Sequence, residues 1–315
     1  MNRLGCAVEA GRSLPEAVQR AQRAEQLGYD SIWCSQLPGN RDTALLLAAY
    51  AQATERVRLG TAVLPIYTRH PTAMAQMAQT LDEISGGRFL LGLGVSHQVT
   101  VESMWGLQLE SPVDAMREYV EILRASFREG AASLNGRLFT AHWAYGAPRN
   151  PELPIFLAAL GERMLELAGE LADGVSLWMC SPAYVRDQVI PHVRAGRERA
   201  GKSLEGFEIM AAVPVCLAAD RARAREAFRE TVKRYASLPF YRKVLDAGGF
   251  QAELERGEVS DGMLDQLSGI GDAQAVRDAV ARYRDAGVTL PAVGPMSKAS
   301  GAVGVAETLE AAIAP

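Results

Sequence analysis

Two hydrophobic periodicities alternate along the first third of the chain. Residues 4–8 form a short apolar run typical of a buried strand. From Ser13 onward, apolar residues recur at helical spacing until Gly28, and Ser13 with Glu16 matches a helix-starting capping box. Further strands are predicted at 30–33, 57–63 and 89–93, each followed by a helical pattern. Strands that alternate with helices in this way indicate a parallel sheet.

The same alternation resumes in the second half of the chain. Strands are predicted at 155–158, 174–178, 207–215 and 288–293. Eight strand–helix units predict an α/β fold, the closed (β/α)8 or TIM barrel, with a doubly wound parallel sheet as the rival architecture. No linker or internal repeat divides the chain, so residues 1–315 are predicted to form one domain.

Three stretches interrupt the alternation. Residues 95–111 and 134–154 follow strand four, and residues 238–269 follow strand seven. They predict insertions after strands four and seven of the barrel. We expect these insertions to shape the substrate pocket, and their apolar and aromatic side chains favour a partly hydrophobic small-molecule substrate.

The charge balance argues against one class of partner. The formal net charge is −4 at pH 7 and there is no basic block, whereas nucleic-acid-binding proteins usually carry a basic stripe. The longest apolar run, residues 44–51, is far shorter than a membrane span, and the apolar stretch near the start is too short for a signal peptide. We therefore expect a cytoplasmic protein with neither nucleic acid nor membrane as partner.

Cysteine and histidine spacings do not predict a metal site. The four cysteines contain no C-x-x-C pair. None of the four histidines has another histidine or a carboxylate at metal-ligand spacing. We expect free, buried thiols and no bound metal.

The active site of a barrel lies just beyond the carboxyl ends of its strands. In this chain those positions are residues 34–36, 64–67, 94–97 and 159–161. Residues 92–97 begin like a dinucleotide-binding fingerprint, but His97 stands in place of the third glycine, so that motif is absent. His97 is the best titratable candidate because an imidazole titrates near neutral pH; a hydrogen-bonded loop histidine is the alternative.

The turn after strand five has the character of a phosphate site. The strand ends near Ala158, and a helix is predicted to start at Gly161 or Glu162. Ala159, Leu160 and Gly161 have small or apolar side chains, so backbone N–H groups and the positive end of the helix dipole would bind an anion. An ordinary strand–helix turn is the alternative interpretation.

Three segments resemble a known family. They are residues 60–71 (GTAVLPIYTRHP), 81–94 (LDEISGGRFLLGLG) and 157–174 (LAALGERMLELAGELADG). All three are similar to the luciferase-like flavin and deazaflavin oxidoreductases, and within them to the coenzyme F420-dependent branch that includes methylenetetrahydromethanopterin reductase. The resemblance covers nearly the whole chain. It implies a barrel with insertions, a homodimer and a tricyclic cofactor in the barrel mouth.

The resemblance also implies roles for individual residues. It implies a non-prolyl cis peptide between Ala62 and Val63 that backs the cofactor ring, and a cofactor phosphate at the turn after strand five. Coenzyme F420 has an acidic tail, for which Arg149, Arg163 and Arg186 are candidate partners. The expected cofactor-binding residues are Ala62, Val63, Tyr67, Gly94, Ala159, Leu160 and Gly161.

Catalysis in this family is hydride transfer at the cofactor ring, while the protein orients the reactants and supplies a proton. Many F420-dependent relatives carry an Asp-His or similar pair after strand two, where this chain has Ser35 and Gln36. Gln36 can hydrogen-bond the ring or the substrate but cannot shuttle a proton. The expected catalytic residues are therefore His97 and Gln36, with His97 as the titratable one.

Three hypotheses for the function remain. The leading one is an oxidoreductase that transfers a hydride between coenzyme F420 and an organic substrate. The first alternative is an FMN-dependent luciferase-like monooxygenase. The second is a non-catalytic flavin-binding relative, because the usual pair after strand two is missing.

Overall fold

The computed structural model describes residues 3–8, 11, 13–147 and 150–313. The strands are β1 (Gly5–Ala7), β2 (Ser31–Cys34), β3 (Arg58–Thr61), β4 (Leu64–Pro65), β5 (Phe89–Gly94), β6 (Ala131–Asn135), β7 (Thr140–Ala144), β8 (Ile155–Ala158), β9 (Gly174–Leu177), β10 (Glu208–Leu217), β11 (Gly269–Gly271) and β12 (Leu290–Pro295). The helices are α1 (Leu14–Gln26), α2 (Thr43–Ala53), α3 (Pro71–Ser85), α4 (Pro112–Glu129), α5 (Glu162–Leu171), α6 (Pro182–Tyr184), α7 (Ile190–Arg199), α8 (Arg221–Ala236), α9 (Pro239–Leu245), α10 (Gln251–Glu255), α11 (Asp261–Leu267), α12 (Ala273–Asp285) and α13 (Val305–Ile313).

Eight of the described strands close into a parallel barrel. Their order is β1–β2–β3–β5–β8–β9–β10–β12, and β12 pairs back to β1. Gly5, for example, is in register with Ser31 on one side and Ala292 on the other. Each predicted strand corresponds to one of these eight, so the predicted (β/α)8 barrel is confirmed and the doubly wound sheet is excluded.

Helix α1 shows how the sequence forms the outer layer. The Ser13 hydroxyl accepts a hydrogen bond from the Glu16 N–H at 3.3 Å, which caps the helix start. Gly28 has a φ of 87°, a conformation that glycine adopts without steric cost, and the chain turns there into β2. The buried face of α1 carries alanines, which allow the helix to approach the barrel closely: Ala17, Ala21 and Ala24.

Large side chains fill the barrel interior. Trp33 packs edge-on against Phe156, with ring centroids 5.1 Å apart. Gly60 on the neighbouring strand leaves room for the indole, since a Cβ added there would lie 2.4 Å from Trp33 Cε3. Other members of this interior cluster are Leu90, Met210, Leu290 and Ala292. The interior is therefore a packed core, and space for a ligand has to lie at one end of the barrel.

The additional elements after β5 are a short π-helical turn, Val99–Met104, and an antiparallel hairpin of β6 and β7 that follows α4. The sequence predicted an irregular excursion at 134–154, and the hairpin was missed. Its signal was present in Asn135-Gly136, a dipeptide that favours tight turns. Glu118 on α4 holds the turn, because its carboxylate accepts hydrogen bonds from the N–H groups of Arg137, Leu138 and Phe139 at 2.8–2.9 Å.

The additional elements after β10 are α8 to α11 and strand β11, which pairs with β10 at the edge of the barrel sheet. They form a second hydrophobic core, separate from the one beneath the outer helices. Its members include Phe228, Tyr241, Phe250, Leu264 and Ile270. A self-packed unit of this kind can hold side chains in fixed positions beside the barrel.

Charged residues cluster at the amino end of the barrel. Arg58 lies 2.6 Å from Asp30 and 3.0 Å from Glu208, and Arg3 contacts the same two carboxylates at 2.9 and 3.1 Å. All four side chains are partly buried. The cluster joins β2, β3 and β10, so it connects strands on different sides of the barrel at the end opposite the predicted site.

Candidate active site

A bulge between β3 and β4 is the most irregular backbone at the carboxyl end of the barrel. The Ala62–Val63 peptide is cis, as the family resemblance predicted. Two glycines of β5 leave space for it: a Cβ on Gly92 would lie 1.8 Å from the Thr61 carbonyl oxygen, and one on Gly94 would lie 2.5 Å from Val63 Cγ2. Gly94 thus contacts the bulge directly. The structure brings the predicted residues Ala62, Val63 and Gly94 together.

The two polar residues after β2 have structural partners. The Ser35 hydroxyl donates to the Ala62 carbonyl at 2.8 Å and so supports the bulge. The Gln36 side-chain oxygen accepts from the Thr43 N–H at 2.9 Å, at the start of α2. This bond leaves Gln36 its amide NH2 and the second lone pair of its oxygen, so it can still hydrogen-bond a ligand but not transfer a proton.

Arg69 joins two of the loops at the mouth. Its guanidinium lies 2.5 Å from the Asp42 carboxylate, which also caps α2 by accepting from the N–H groups of Ala44 and Leu45. The Arg69 carbonyl in turn accepts from the Tyr119 hydroxyl at 2.8 Å. These contacts give Arg69 and Asp42 a bracing role between the segments after β2 and β3.

Tyr67 lies on the short turn Ile66–Thr68 after β4. Its hydroxyl is buried and has no hydrogen-bond partner among the described residues. Burial raises the pKa of this phenol to about 12, so the hydroxyl stays protonated near neutral pH. Leaving a buried hydroxyl unpaired costs about 1–3 kcal/mol. Tyr67 is therefore a polar group whose partner is not supplied by the described residues of the protein.

His97 follows Ser96, whose φ of 61° turns the chain sharply at the end of β5. The imidazole is half-buried, and within the described ranges neither ring nitrogen has a hydrogen-bond partner. Its ring packs against that of Tyr241, with centroids 5.7 Å apart. Burial lowers the pKa of His97 below its ordinary value, so the neutral ring predominates at pH 7.

The other three histidines are engaged by neighbouring groups. His70 caps α3 through Nδ1 and donates from Nε2 to the Thr140 carbonyl at 3.1 Å. His142 contacts Ser133 and Asn135 within the hairpin. His192 lies 3.6 Å from Glu166. His97 is thus the histidine, of the four, whose ring nitrogens remain available at the carboxyl end of the barrel.

The turn after β8 leads directly into α5. Gly161 is the N-cap of that helix, and no side chain caps it. A Cβ built on Gly161 would meet nothing within 4 Å, so the space in front of the first helical turn is open. Ala159 is buried, and the Leu160 carbonyl accepts from the Tyr184 hydroxyl. The open N–H groups at Gly161 and Glu162 suit an anion.

This turn and the bulge are neighbours. A Cβ on Gly94 would lie 2.5 Å from Val63 and 3.4 Å from the Ala158 side chain, so one glycine touches both features. The anion site and the bulge therefore occupy one corner of the barrel mouth, formed by β4, β5 and β8.

The three arginines expected to bind the acidic cofactor tail differ in their surroundings. Arg163 is exposed in the first turn of α5. Arg186 is paired with its neighbour Asp187 at 2.7 Å, and Arg149 lies outside the described residues. Arg163 is therefore the candidate at the start of α5 that has no ion-pair partner within the described part of the chain.

Sequence spacing did not reveal two further groupings. Tyr241 and Tyr235 form an aromatic row between His97 and Trp178, although they belong to the insertion after β10. On the outer surface, Glu162, Glu166 and His192 lie together across α5 and α7, and Glu166 is also paired with Arg199 at 2.9 Å. Both groupings join distant parts of the chain, which is why no local motif predicts them.

No helix in the described part of the chain combines the length and apolar character needed to cross a membrane.

Similarity to known proteins extends over most of the chain. The sequence profile described as luciferase-like monooxygenase matches residues 1–290. A 5,10-methylenetetrahydromethanopterin reductase of Methanolobus tindarius is 30% identical over 286 residues, which cover 85% of this chain and 86% of that protein.

Solved structures are similar to this chain over nearly its whole length. The coenzyme F420-dependent tetrahydromethanopterin reductase of Methanopyrus kandleri matches with a TM-score of 0.82 at 25% identity, covering 99% of this chain and 97% of that one. An F420-dependent secondary alcohol dehydrogenase, in complex with an F420-acetone adduct, has a TM-score of 0.84 at 20% identity with the same coverage, a likeness of fold alone. The profile match and the 30% identity together show that this chain belongs to the luciferase-like monooxygenase family.

Proposed function

We propose that this protein is an oxidoreductase that transfers a hydride between coenzyme F420 and an organic substrate. The observation that carries the proposal is the corner formed by the Ala62–Val63 bulge, Gly94 and the open start of α5. The relatives named as F420-dependent reductases support it, because the similarity runs over most of both chains.

The residues of this corner fit a flat cofactor with a phosphate. The bulge offers a backbone surface against which a ring can lie, and Gly161 and Glu162 offer N–H groups for the phosphate. The unpaired hydroxyl of Tyr67 can hydrogen-bond the ring edge or the substrate. Arg163, exposed in the first turn of α5, is the arginine we assign to the acidic tail.

Coenzyme F420 would supply the hydride-carrying ring, and the residues of this chain would orient the reactants and manage the proton. His97 is the group we assign to proton handling, because its ring nitrogens have no partner among the described residues and its neutral form predominates at pH 7. A neutral imidazole can donate a hydrogen bond to a substrate oxygen or accept a proton from a hydroxyl. Gln36, whose side-chain oxygen accepts from the Thr43 N–H, can contribute its amide NH2 as a hydrogen-bond donor.

Exposed apolar side chains favour a partly hydrophobic substrate. Val99 and Met104 in the turn after β5, and Phe240 in the insertion after β10, are 57–60% exposed. Single exposed apolar residues are common, but these three belong to the two insertions that meet at the contact between His97 and Tyr241. An apolar substrate body placed there would cover them.

The test is a parallel titration of the purified apoprotein with oxidised coenzyme F420 and with FMN, followed by ligand fluorescence. We expect micromolar binding of F420 and much weaker binding of FMN. Preference for FMN would overturn the deazaflavin assignment in favour of a monooxygenase. Tight F420 binding without turnover on a panel of alcohols, ketones and enones would instead support a non-catalytic cofactor-binding protein.

We also propose a homodimer on the basis of the family resemblance. Sedimentation velocity of the purified chain tests this directly, with a single species of about twice the 33.9 kDa chain mass expected. A monomer across the micromolar range would contradict the proposal.

A further inference from the structure

Tyr241, in the insertion after β10, contacts the imidazole of His97. It lies on α9, is only 8% exposed, and belongs to the second hydrophobic core. Its ring contacts that of His97 with centroids 5.7 Å apart and planes inclined at 50°. This contact joins the chain after β5 to a separately packed unit.

Tyr241 is itself held in place. Its ring packs edge-on against Tyr235, with centroids 4.7 Å apart, and Tyr235 packs against Trp178 at 5.7 Å. Trp178 directly follows β9, so the row of rings spans from the end of one barrel strand to the end of another. Edge-on aromatic pairs at such distances attract each other beyond the effect of their buried area, so Tyr241 is held on both sides.

His97 has little else to fix its orientation. Within the described ranges its ring nitrogens have no hydrogen-bond partner, and it lies on a turn after β5 rather than on the strand itself. In the other histidines a hydrogen bond or a carboxylate determines the ring orientation. For His97 a ring contact performs this task.

We propose that Tyr241 is a positioning residue for His97: the insertion after β10 uses this ring to hold the imidazole in place and to limit the access of water to one of its faces. The proposal rests on the proposed function only for its catalytic consequence, because the ring contact is a property of the protein without cofactor. The insertion then acts on the reaction through one aromatic contact.

Among the described residues no charged group shifts the pKa of His97, although the Arg234 guanidinium lies over the Tyr235 ring, 5.7 Å from its centroid. Burial is the cause of the lowered pKa of His97. The titratable neighbours of Tyr241 are Tyr235 and the Cys180 thiol, and burial raises the pKa of both Tyr241 and Cys180, so both stay neutral near pH 7. Removing the Tyr241 ring should therefore act on His97 through water access and freedom of movement.

The test is an NMR titration of the histidine rings in the apoprotein, in which only four imidazoles have to be assigned. A His97→Asn variant identifies the His97 signals. In Tyr241→Leu we expect the pKa of His97 to move up toward the value of an exposed imidazole, and the other three histidines to be unchanged. In Tyr241→Phe, which keeps the ring, we expect the wild-type titration.

A matched control separates positioning from general loss of packing. Phe228 is equally buried in the second core and has no ring contact with His97, so Phe228→Leu should lower stability and leave the His97 titration unchanged. An unchanged His97 titration in folded Tyr241→Leu would overturn the proposal. So would an equal shift in Phe228→Leu.

Activity provides the second readout. With F420 and an accepted substrate, Tyr241→Leu should lower kcat about tenfold or more and move the acid limb of the pH profile upward, while Tyr241→Phe restores both. If F420 does not bind to the wild-type protein, the proposed function fails, and the NMR titration still decides whether Tyr241 positions His97.

Discussion

Single glycines determine how closely backbone segments approach at the barrel mouth. Gly92 faces the Thr61 carbonyl. The Thr61 hydroxyl accepts a hydrogen bond from the Gly92 N–H and donates one to the Gly92 carbonyl, both at 2.8 Å. A side chain at Gly92 would have to displace the backbone of Thr61, which is less easily moved than the end of a flexible side chain. Gly161, in contrast, has open space around it and an ordinary φ of −94°.

Gly92→Ala should therefore destabilise the protein, and Gly161→Ala should not. The added methyl at Gly92 would overlap the Thr61 carbonyl, and overpacking of this kind costs about 1–3 kcal/mol or more. Urea denaturation of both variants beside the wild type measures the difference. Equal stability of the two variants would show that β5 can move away from the bulge.

Gly161→Asp tests the anion site. The new carboxylate would cap α5 and occupy the positive end of its dipole, so we expect helix stability to rise by about 0.5–1 kcal/mol. The same carboxylate would repel a phosphate, so affinity for F420 should fall at least about tenfold. Gly161→Ala is the control for the side chain without the charge. Unchanged affinity in Gly161→Asp would mean that the phosphate lies elsewhere.

His97 gives a prediction about pH. Burial lowers its pKa, so protonation requires a lower pH than for an exposed imidazole, and a reaction that needs the neutral ring should fail as pH drops through that lowered value. In His97→Asn the acid limb of kcat should disappear, and kcat near pH 7 should fall about 100-fold or more. Persistence of the same limb in His97→Asn would assign it to another group.

The sequence was enough to predict which residues lie at the barrel mouth, but not which side chains they contact there. The residues after strands two to five could be named because a barrel brings strand ends together, and the cis peptide followed from the family resemblance. The partners of Ser35 and Gln36 could not be predicted, since each contact depends on how the loop after β2 folds against a neighbouring segment. The same limit applies to Tyr241, which meets His97 only through tertiary packing.

At the scale of elements, the helix and strand succession was predictable, and the hairpin of β6 and β7 was not. Each strand has only five residues, and the positions it buries against α4 include the small side chains Ala132 and Ala141, so the period that identifies a buried strand is short and weak. The hairpin depends on α4 instead. The Glu118 carboxylate accepts hydrogen bonds from three N–H groups of its turn.

Glu118→Gln should loosen this hairpin. Burial opposes ionisation of Glu118, but the bonds from Leu138, Phe139 and Arg137 outweigh it and lower the pKa of the carboxyl. The stabilisation is therefore present above the ordinary glutamate pKa and is lost as pH falls through the lowered value in the folded state. We expect a loss of about 1–2 kcal/mol at pH 7, smaller in acid.

Hydrogen exchange of the hairpin amides, with urea denaturation at pH 7 and in acid, measures this effect. Glu121→Gln is the matched control, because Glu121 lies on the same helix and its carboxylate is 3.9 Å from Arg117. Equal effects of the two substitutions would contradict the role of Glu118.

At the scale of the whole molecule, a cluster of four charged residues and the candidate site lie at opposite ends of the barrel. The candidate site lies at the carboxyl ends of the strands, on glycines, loops and helix starts. The amino ends carry the cluster of Arg3, Arg58, Asp30 and Glu208, which joins three strands. Separation of this kind lets residues at one end be changed without altering the other.

Arg58→Met tests this separation most directly. The substitution keeps much of the side-chain volume but leaves Asp30 and Glu208 with only Arg3 as a cationic partner, and both carboxylates are less than a third exposed. Removing one partner of a fully buried charge cluster costs about 3–5 kcal/mol, and partial exposure reduces this here to about 1–3 kcal/mol. Arg199→Met is the control: its arginine is 52% exposed, so the loss of its ion pair should cost at most about 1 kcal/mol of stability.

We expect F420 affinity and kcat to be unchanged in both variants at a temperature where they stay folded. A loss of affinity in folded Arg58→Met would mean that the base and the mouth are coupled through the packed interior around Trp33, and the barrel would then not separate stability from chemistry.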